Sequence, residues 1–101
     1  MTNENIRDLR QILCHYGIRP QIDKLREELR ELDEAAGEKC INGDLASAAN
    51  HFIEELADVT IMIEQMKLAM TTGEQALYYT IINQKIERQL GRIANALCFP
   101  R

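Results

Sequence analysis

The sequence contains no tryptophan, only two prolines and five glycines, and three cysteines that lie far apart. So few prolines and glycines leave little material for turns, and long irregular loops are not expected. No Cys-x-x-Cys pair is present, which excludes the usual cysteine framework of a zinc or dithiol redox site. An odd number of separated cysteines is typical of reduced thiols, so we expect a cytoplasmic protein.

Long hydrophobic runs and an excess of basic charge are also missing. No apolar run approaches the roughly 20 residues that a membrane-spanning helix needs. The opening MTNENIRDLR lacks the apolar core of a signal peptide. Acidic residues outnumber basic ones by 16 to 12, which gives a net charge of −4. We therefore expect no membrane association and no general nucleic-acid binding, which requires a basic surface.

Helical periodicity runs through nearly the whole chain. It predicts a single all-α domain over residues 1–101, a protomer similar to a four-helix bundle with short joints. The apolar positions, helix by helix, are Ile6, Leu9, Leu13 and Tyr16; Ile22, Leu25, Leu29, Leu32 and Ala36; Phe52, Leu56, Val59, Ile63, Met66 and Met70; and Tyr79, Ile82, Ile86, Leu90, Ile93 and Leu97.

The helix ends are predicted from capping residues. Gly17 is expected to end the first helix and Gly37 the second. Asp44 is expected to cap the third helix. Thr72 and Gln75 are expected to form a capping box at the start of the fourth helix.

The third predicted helix is apolar on a second side as well. This second stripe consists of Ile53, Ala57, Ile61 and Leu68. A helix that is apolar on two sides is buried on two sides, and a chain of this size offers few internal neighbours. We therefore expect a symmetric homo-oligomer, a dimer or a tetramer. The alternative is a long central helix within a monomer.

Two pairs of acidic residues have the spacing of neighbours on a helix face. Glu55 falls inside the apolar face of the third helix with Asp58 at its edge, and Glu28 and Glu31 lie beside the apolar face of the second helix. If these two apolar faces pack against each other, the four carboxylates converge in a partly dry space and repel one another. A hard cation, Mg²⁺ or Mn²⁺, would compensate. The alternative is a solvated charged face with Glu–Arg pairs.

Basic residues follow one side of the fourth predicted helix, at Lys85, Arg88 and Arg92. Such a stripe can bind phosphate oxygens, or it can be a solvated edge. Tyr78, Gln21 and His51 are candidates for ligand contact, with packing or structural roles as the alternatives; Tyr79 is expected in the core. Nothing in the sequence identifies a base or a sugar.

The acidic residues form two motifs, EELRE and ELAD, separated by 23 residues. Together with the segments HYGIRPQIDKLREELREL and NQKIERQLGRI, they resemble the MazG-like all-α nucleoside triphosphate pyrophosphohydrolases. The resemblance covers roughly Tyr16 to Ile93.

The resemblance implies a Mg²⁺-dependent enzyme that cleaves a (d)NTP to the monophosphate and pyrophosphate, with house-cleaning of unwanted nucleotides as one role. By motif matching, the metal ligands and catalytic carboxylates would be Glu28, Glu31, Glu55 and Asp58. Glu27 is a weaker candidate, and Lys85 and Arg88 would contact phosphate, with Arg92 less favoured. Two alternatives remain: a relative that acts on a phosphoribosyl-nucleotide, and a non-catalytic helical oligomer that serves as a scaffold or regulator.

Overall fold

The computed structural model describes residues 1–41 and 45–98, and within these ranges it is all-helical, with no strand. The helices are α1 (Asn3–Tyr16), α2 (Ile18–Ile41), α3 (Leu45–Leu68) and α4 (Thr72–Cys98). The predicted all-α class is confirmed. The predicted cap Asp44 lies outside the described residues. No helix in the described ranges has the length and apolar character needed to cross a bilayer.

The two glycines that were expected to end helices behave differently. Gly17 ends α1 as predicted: its φ is 87°, and its N–H donates to the Leu13 carbonyl at 2.8 Å. Glycine adopts this left-handed φ without the penalty of a Cβ. The prediction for Gly37 is wrong, because α2 continues through it to Ile41. A helix tolerates an interior glycine at a cost of about 1 kcal/mol.

The capping box of α4 lies one residue earlier than predicted. The Thr71 hydroxyl accepts from the Glu74 N–H at 3.2 Å, and the Glu74 carboxylate accepts from the Thr71 N–H at 2.9 Å. The Thr72–Gln75 prediction is therefore wrong. A carboxylate accepts hydrogen bonds more strongly than an amide, which favours Glu74. The Thr71 backbone and side chain together lower the pKa of Glu74.

The chain forms two compact units, Met1–Ala69 and the part from Met70 onward. In the first unit α2 and α3 pack along most of their length, and α1 contacts both. Contacts between Gln21 and Gln65, and between Glu38 and His51, show that α2 and α3 run antiparallel.

The second unit contains α4, a helix of 27 residues. Most of its side chains up to position 96 are exposed, including Tyr79, which is 50% exposed in the single chain and was expected in the core. Its other exposed large apolar residues are Leu77, Ile81, Ile86, Leu90 and Ile93.

The seam between α2 and α3 differs from the predicted one. On α2 the buried or half-buried positions include 21, 25, 28, 32 and 35, and on α3 they include 52, 55, 59, 62 and 66. This alternation of three and four is the spacing of helices that pack side by side. Ile22, Leu29, Leu56 and Ile63, predicted to lie in the seam, are 37–47% exposed. The seam therefore contains Glu28 and Glu55 themselves.

A pair of buried amides joins α2 and α3 at the end of the seam where α2 begins and α3 ends. Gln21 and Gln65 are 7% and 1% exposed, and the Gln21 amide donates to Gln65 Oε1 at 2.7 Å. The Gln65 amide in turn contacts the Met62 sulfur at 3.8 Å. Because buried amides are costly unless they are hydrogen-bonded, this pair favours one register of α2 against α3.

We expect Gln21→Leu to lower the free energy of unfolding by about 1–3 kcal/mol, since it leaves Gln65 Oε1 buried without a donor. The double variant Gln21→Leu, Gln65→Met should recover most of the loss, because both polar partners are then gone. Urea unfolding at a fixed protein concentration measures both. A double variant no more stable than the single one would show that the pair does not act through its hydrogen bond.

Candidate metal centre

Three glutamates converge where α2 and α3 pack. One carboxylate oxygen each from Glu28, Glu31 and Glu55 lies within 4.8 Å of the other two. Oxygens on opposite sides of a Mg²⁺ ion are about 4.2 Å apart, given Mg–O distances of about 2.1 Å. Small side-chain rotations therefore suffice for all three to reach one ion.

Two carboxylate oxygens of this cluster are buried and have no hydrogen-bond partner among the described residues. Glu28 is 5% exposed and the Glu55 side chain is 13% exposed. Oε2 of each is buried and accepts no hydrogen bond from the described residues. An unpartnered buried carboxylate oxygen is costly. The all-oxygen donor set and the two unpartnered atoms fit a hard divalent cation such as Mg²⁺ or Mn²⁺.

Lys24 balances part of the charge on the α2 side. Its Nζ lies 3.1 Å from Glu28 Oε1 and 3.5 Å from Glu27 Oε2. The hydrogen bond to Glu28 is the largest cause of a raised Lys24 pKa. Glu27 is half exposed and paired with this lysine, whereas Glu28 lies inside the seam. Glu27 is thus outside the group of three converging carboxylates.

His51 lies beside Glu55 on α3, as Lys24 lies beside Glu28 on α2. Its Nε2 lies 3.5 Å from Glu55 Oε1, and its Nδ1 lies 2.8 Å from Glu38 Oε2. The hydrogen bond with Glu38 is the main reason why the pKa of His51 is raised. Lys24 and His51 each precede a seam glutamate by four residues, and each contacts Oε1 of that glutamate.

Glu31 experiences the charge of the other two acids directly. The negative charge of Glu28, then burial and the charge of Glu55, raise the pKa of the half-buried Glu31 carboxyl. Repulsion of this kind is what converging carboxylates produce without a balancing cation.

The remaining predicted site residues lie elsewhere. Asp58 is exposed on α3 and is not among the three converging carboxylates. Lys85, Arg88 and Arg92 are exposed on α4, in the second unit. Gln21, a candidate for ligand contact, has its amide engaged with Gln65 inside the helix interface.

Tyr78, the candidate for nucleoside stacking, is half-buried, with its ring edge-on to Tyr79 at 5.2 Å. Both rings belong to α4 in the second unit. A role of Tyr78 in nucleoside binding stays a prediction.

Sequence analysis did not identify Lys24 or Glu38. The lysine had a readable signal, because a basic residue four positions before a glutamate lies beside it on a helix. Glu38 had none, since its contact with His51 crosses from α2 to α3.

Comparison with known proteins adds no assignment. No family model, curated protein or solved structure gives a significant match to this chain.

We expect Mg²⁺ to raise the melting temperature of the wild type. An ion that binds only the folded state contributes about 2.7 kcal/mol at a hundredfold excess over Kd, which corresponds to roughly 10 °C or more for a small domain. Ca²⁺ should also stabilise the protein, because it takes oxygen ligands. Thermal melts with each ion and with EDTA measure the shift.

Two variants test whether the Mg²⁺-dependent shift in melting temperature comes from the glutamate cluster. Glu55→Gln should lose most of the Mg²⁺-dependent shift, because the amide keeps the shape but not the charge. Glu34→Gln removes one exposed charge from α2 and should keep the shift. A wild-type melting temperature indifferent to millimolar Mg²⁺, with and without a non-hydrolysable triphosphate, would contradict a metal centre here.

Proposed function

We propose that this protein is a Mg²⁺-dependent nucleoside triphosphate pyrophosphohydrolase, with Mn²⁺ as a possible substitute ion, that converts a (d)NTP to the monophosphate and pyrophosphate. The strongest support is the convergence of Glu28, Glu31 and Glu55 in the α2–α3 seam, with two buried oxygens that have no partner among the described residues. A packed helix interface has no structural need for three carboxylates so close together.

The proposed ligands are these three glutamates and Asp58. Glu28 and Glu55 present buried oxygens, and Glu31 is half-buried beside them. Asp58, exposed and about one turn beyond Glu55 on α3, is included on the strength of the Glu-x-x-Asp motif. When bound, a divalent cation supplies positive charge that balances the triphosphate oxygens and the leaving pyrophosphate.

The chain's own residues have two further tasks in this reaction. A carboxylate of the cluster accepts a proton from the attacking water. Lys85 and Arg88, both exposed on α4, bind the phosphates, because arginine forks and lysine ammonium groups match phosphate oxygens.

The choice of bond depends on the resemblance to the MazG-like enzymes. The EELRE motif places Glu28 and Glu31 on α2, and the ELAD motif places Glu55 and Asp58 on α3. In that family the same pair of motifs serves cleavage between the α and β phosphorus, and we propose the house-cleaning of non-standard nucleotides as the role of this reaction.

We further propose a homo-oligomer, a dimer or a tetramer. Several large apolar side chains of α2 and α3 are 38–61% exposed in the single chain: Leu29, Ile53, Leu56, Ile61 and Ile63. Together with the exposed apolar residues of α4, they exceed what isolated surface residues normally amount to.

A second candidate function is a non-catalytic helical oligomer that acts as a scaffold or regulator. The same exposed apolar residues favour it, because they support assembly without any turnover. The two functions differ in what they require of Glu55: a scaffold needs only its packing, whereas the enzyme needs its charge.

We expect the wild type to release pyrophosphate from at least one nucleoside triphosphate in the presence of Mg²⁺, and Glu55→Gln to abolish this release while remaining folded. A panel of ribo- and deoxyribonucleotides should be assayed separately for pyrophosphate and orthophosphate. Hydrolysis in ¹⁸O-labelled water should place the label on the monophosphate if attack is at the α phosphorus.

Glu34→Gln is the matched control and should keep normal turnover, since it removes an exposed charge from the same helix as Glu28. Orthophosphate as the sole product would overturn cleavage between the α and β phosphorus. Near-normal activity of Glu55→Gln would remove Glu55 from the site, and an inactive but oligomeric wild type would favour the scaffold.

We expect Lys85→Ala and Arg88→Ala to raise KM or lower kcat while the Mg²⁺ affinity of the free enzyme stays largely intact, because the proposal assigns these residues to phosphate and not to metal. Arg92→Ala, one turn further along α4, should have a smaller effect. Steady-state kinetics and calorimetric Mg²⁺ titration separate the two quantities. Unchanged kinetics in both variants would mean that the basic stripe is a solvated edge.

A further inference from the structure

The environment of Glu55 contains a linked set of contacts that the proposed reaction does not use. Glu38 Oε2 lies 2.8 Å from His51 Nδ1, and His51 Nε2 lies 3.5 Å from Glu55 Oε1. The other Glu55 oxygen, Oε2, is buried and has no hydrogen-bond partner among the described residues. Oε1 of the carboxylate therefore lies beside the imidazole, and Oε2 is the oxygen without a partner there.

The three residues come from two helices. His51 precedes Glu55 by one turn of α3, so the backbone of a single helix sets their separation. Glu38 belongs to α2, and its contact therefore anchors the imidazole across the helix interface. Around metal sites, a ligating histidine commonly donates its other ring N–H to a carboxylate, and ligating carboxylates are themselves held by neighbouring hydrogen-bonding groups.

We propose that His51, supported by Glu38, is a positioning residue that holds Oε1 of Glu55 so that Oε2 faces the cation site. This rests on the metal centre of the proposed function. It assigns no direct bond between His51 and the ion, because His51 is not among the residues whose ligand atoms converge.

A positioning role and a simple counter-ion role predict opposite effects of removing His51 on cation affinity. A histidine that only balanced charge would compete with the cation, and its removal would strengthen cation binding. A positioning histidine lowers the freedom of Glu55, and its removal weakens binding. Loss of such a supporting partner typically costs about 10- to 100-fold in metal affinity.

The test measures Mn²⁺ affinity from the electron paramagnetic resonance signal of the free ion, with and without a non-hydrolysable triphosphate. His51→Ala should bind Mn²⁺ about 10- to 100-fold more weakly than the wild type. His15→Ala, which removes the exposed histidine of α1, is the matched control and should bind normally. Unchanged or tighter binding by His51→Ala overturns the proposal.

The support from Glu38 is tested by a conservative pair of variants. Glu38→Gln keeps an oxygen that accepts from His51 Nδ1–H, so it should stay closer to the wild-type affinity than Glu38→Ala does. Equal losses in the two variants overturn the support role. The Glu38 side chain is 47% exposed, so its substitution is expected to leave the protein folded. If urea unfolding shows that His51→Ala does not fold in EDTA, the two Glu38 variants replace it as the test.

Turnover is measured alongside on the same proteins. Mn²⁺ binding that depends on His51, in a wild type that releases no pyrophosphate, supports the positioning role and overturns the enzymatic proposal. If the wild type releases pyrophosphate and His51→Ala binds Mn²⁺ as tightly as the wild type, the positioning role is overturned and the enzymatic proposal is supported. A wild type that binds no Mn²⁺ under either condition overturns the positioning role.

Discussion

The first unit depends on the placement of two carboxylates inside a helix interface. Glu28 and Glu55 occupy seam positions that apolar residues fill elsewhere along α2 and α3. Removing a carboxylate from water costs several kcal/mol unless charge or hydrogen bonds compensate. Lys24, four residues earlier on α2, compensates at Oε1 of Glu28, and His51, four residues earlier on α3, lies 3.5 Å from Oε1 of Glu55. The two Oε2 atoms have no partner among the described residues, and they are the part of the interface that a cation would complete.

The polar residues of the seam also restrict how the two helices can align. A purely apolar seam tolerates a slip of one heptad, because most pairs of apolar side chains are acceptable neighbours. Here a slip would separate Gln21 from Gln65 and break the hydrogen bond between the two buried amides. The register that pairs the two glutamines also brings Glu28 beside Glu55. Fold specificity and the geometry of the carboxylates are thus set together.

The helices were predictable because many apolar residues repeat the 3.6-residue period, and a few local errors do not disturb that signal. The predicted seam is correct at positions 25, 32, 52, 59 and 66. Gln21, Glu28 and Gln65 were missed because hydropathy assigns such residues to the surface. Apolar residues flank both sides of α2 and α3, and the sequence does not say which side faces the same chain. The spacing predicted four converging carboxylates, of which Glu28, Glu31 and Glu55 come together and Asp58 does not. The contact between Glu38 and His51 needed the three-dimensional structure, and metal binding by Asp58 and phosphate binding by Lys85 and Arg88 stay predictions.

The pairing of consecutive helices makes the carboxylate cluster local in the chain. Among the described residues, the contacts that hold it lie between Gln21 and Gln65, in two helices that follow each other in the chain. Contacts between elements adjacent in sequence form quickly, because little chain entropy is lost in closing the loop. The α2–α3 hairpin can therefore pair early in folding. The carboxylate cluster then needs no residue from the distant parts of the chain in order to form.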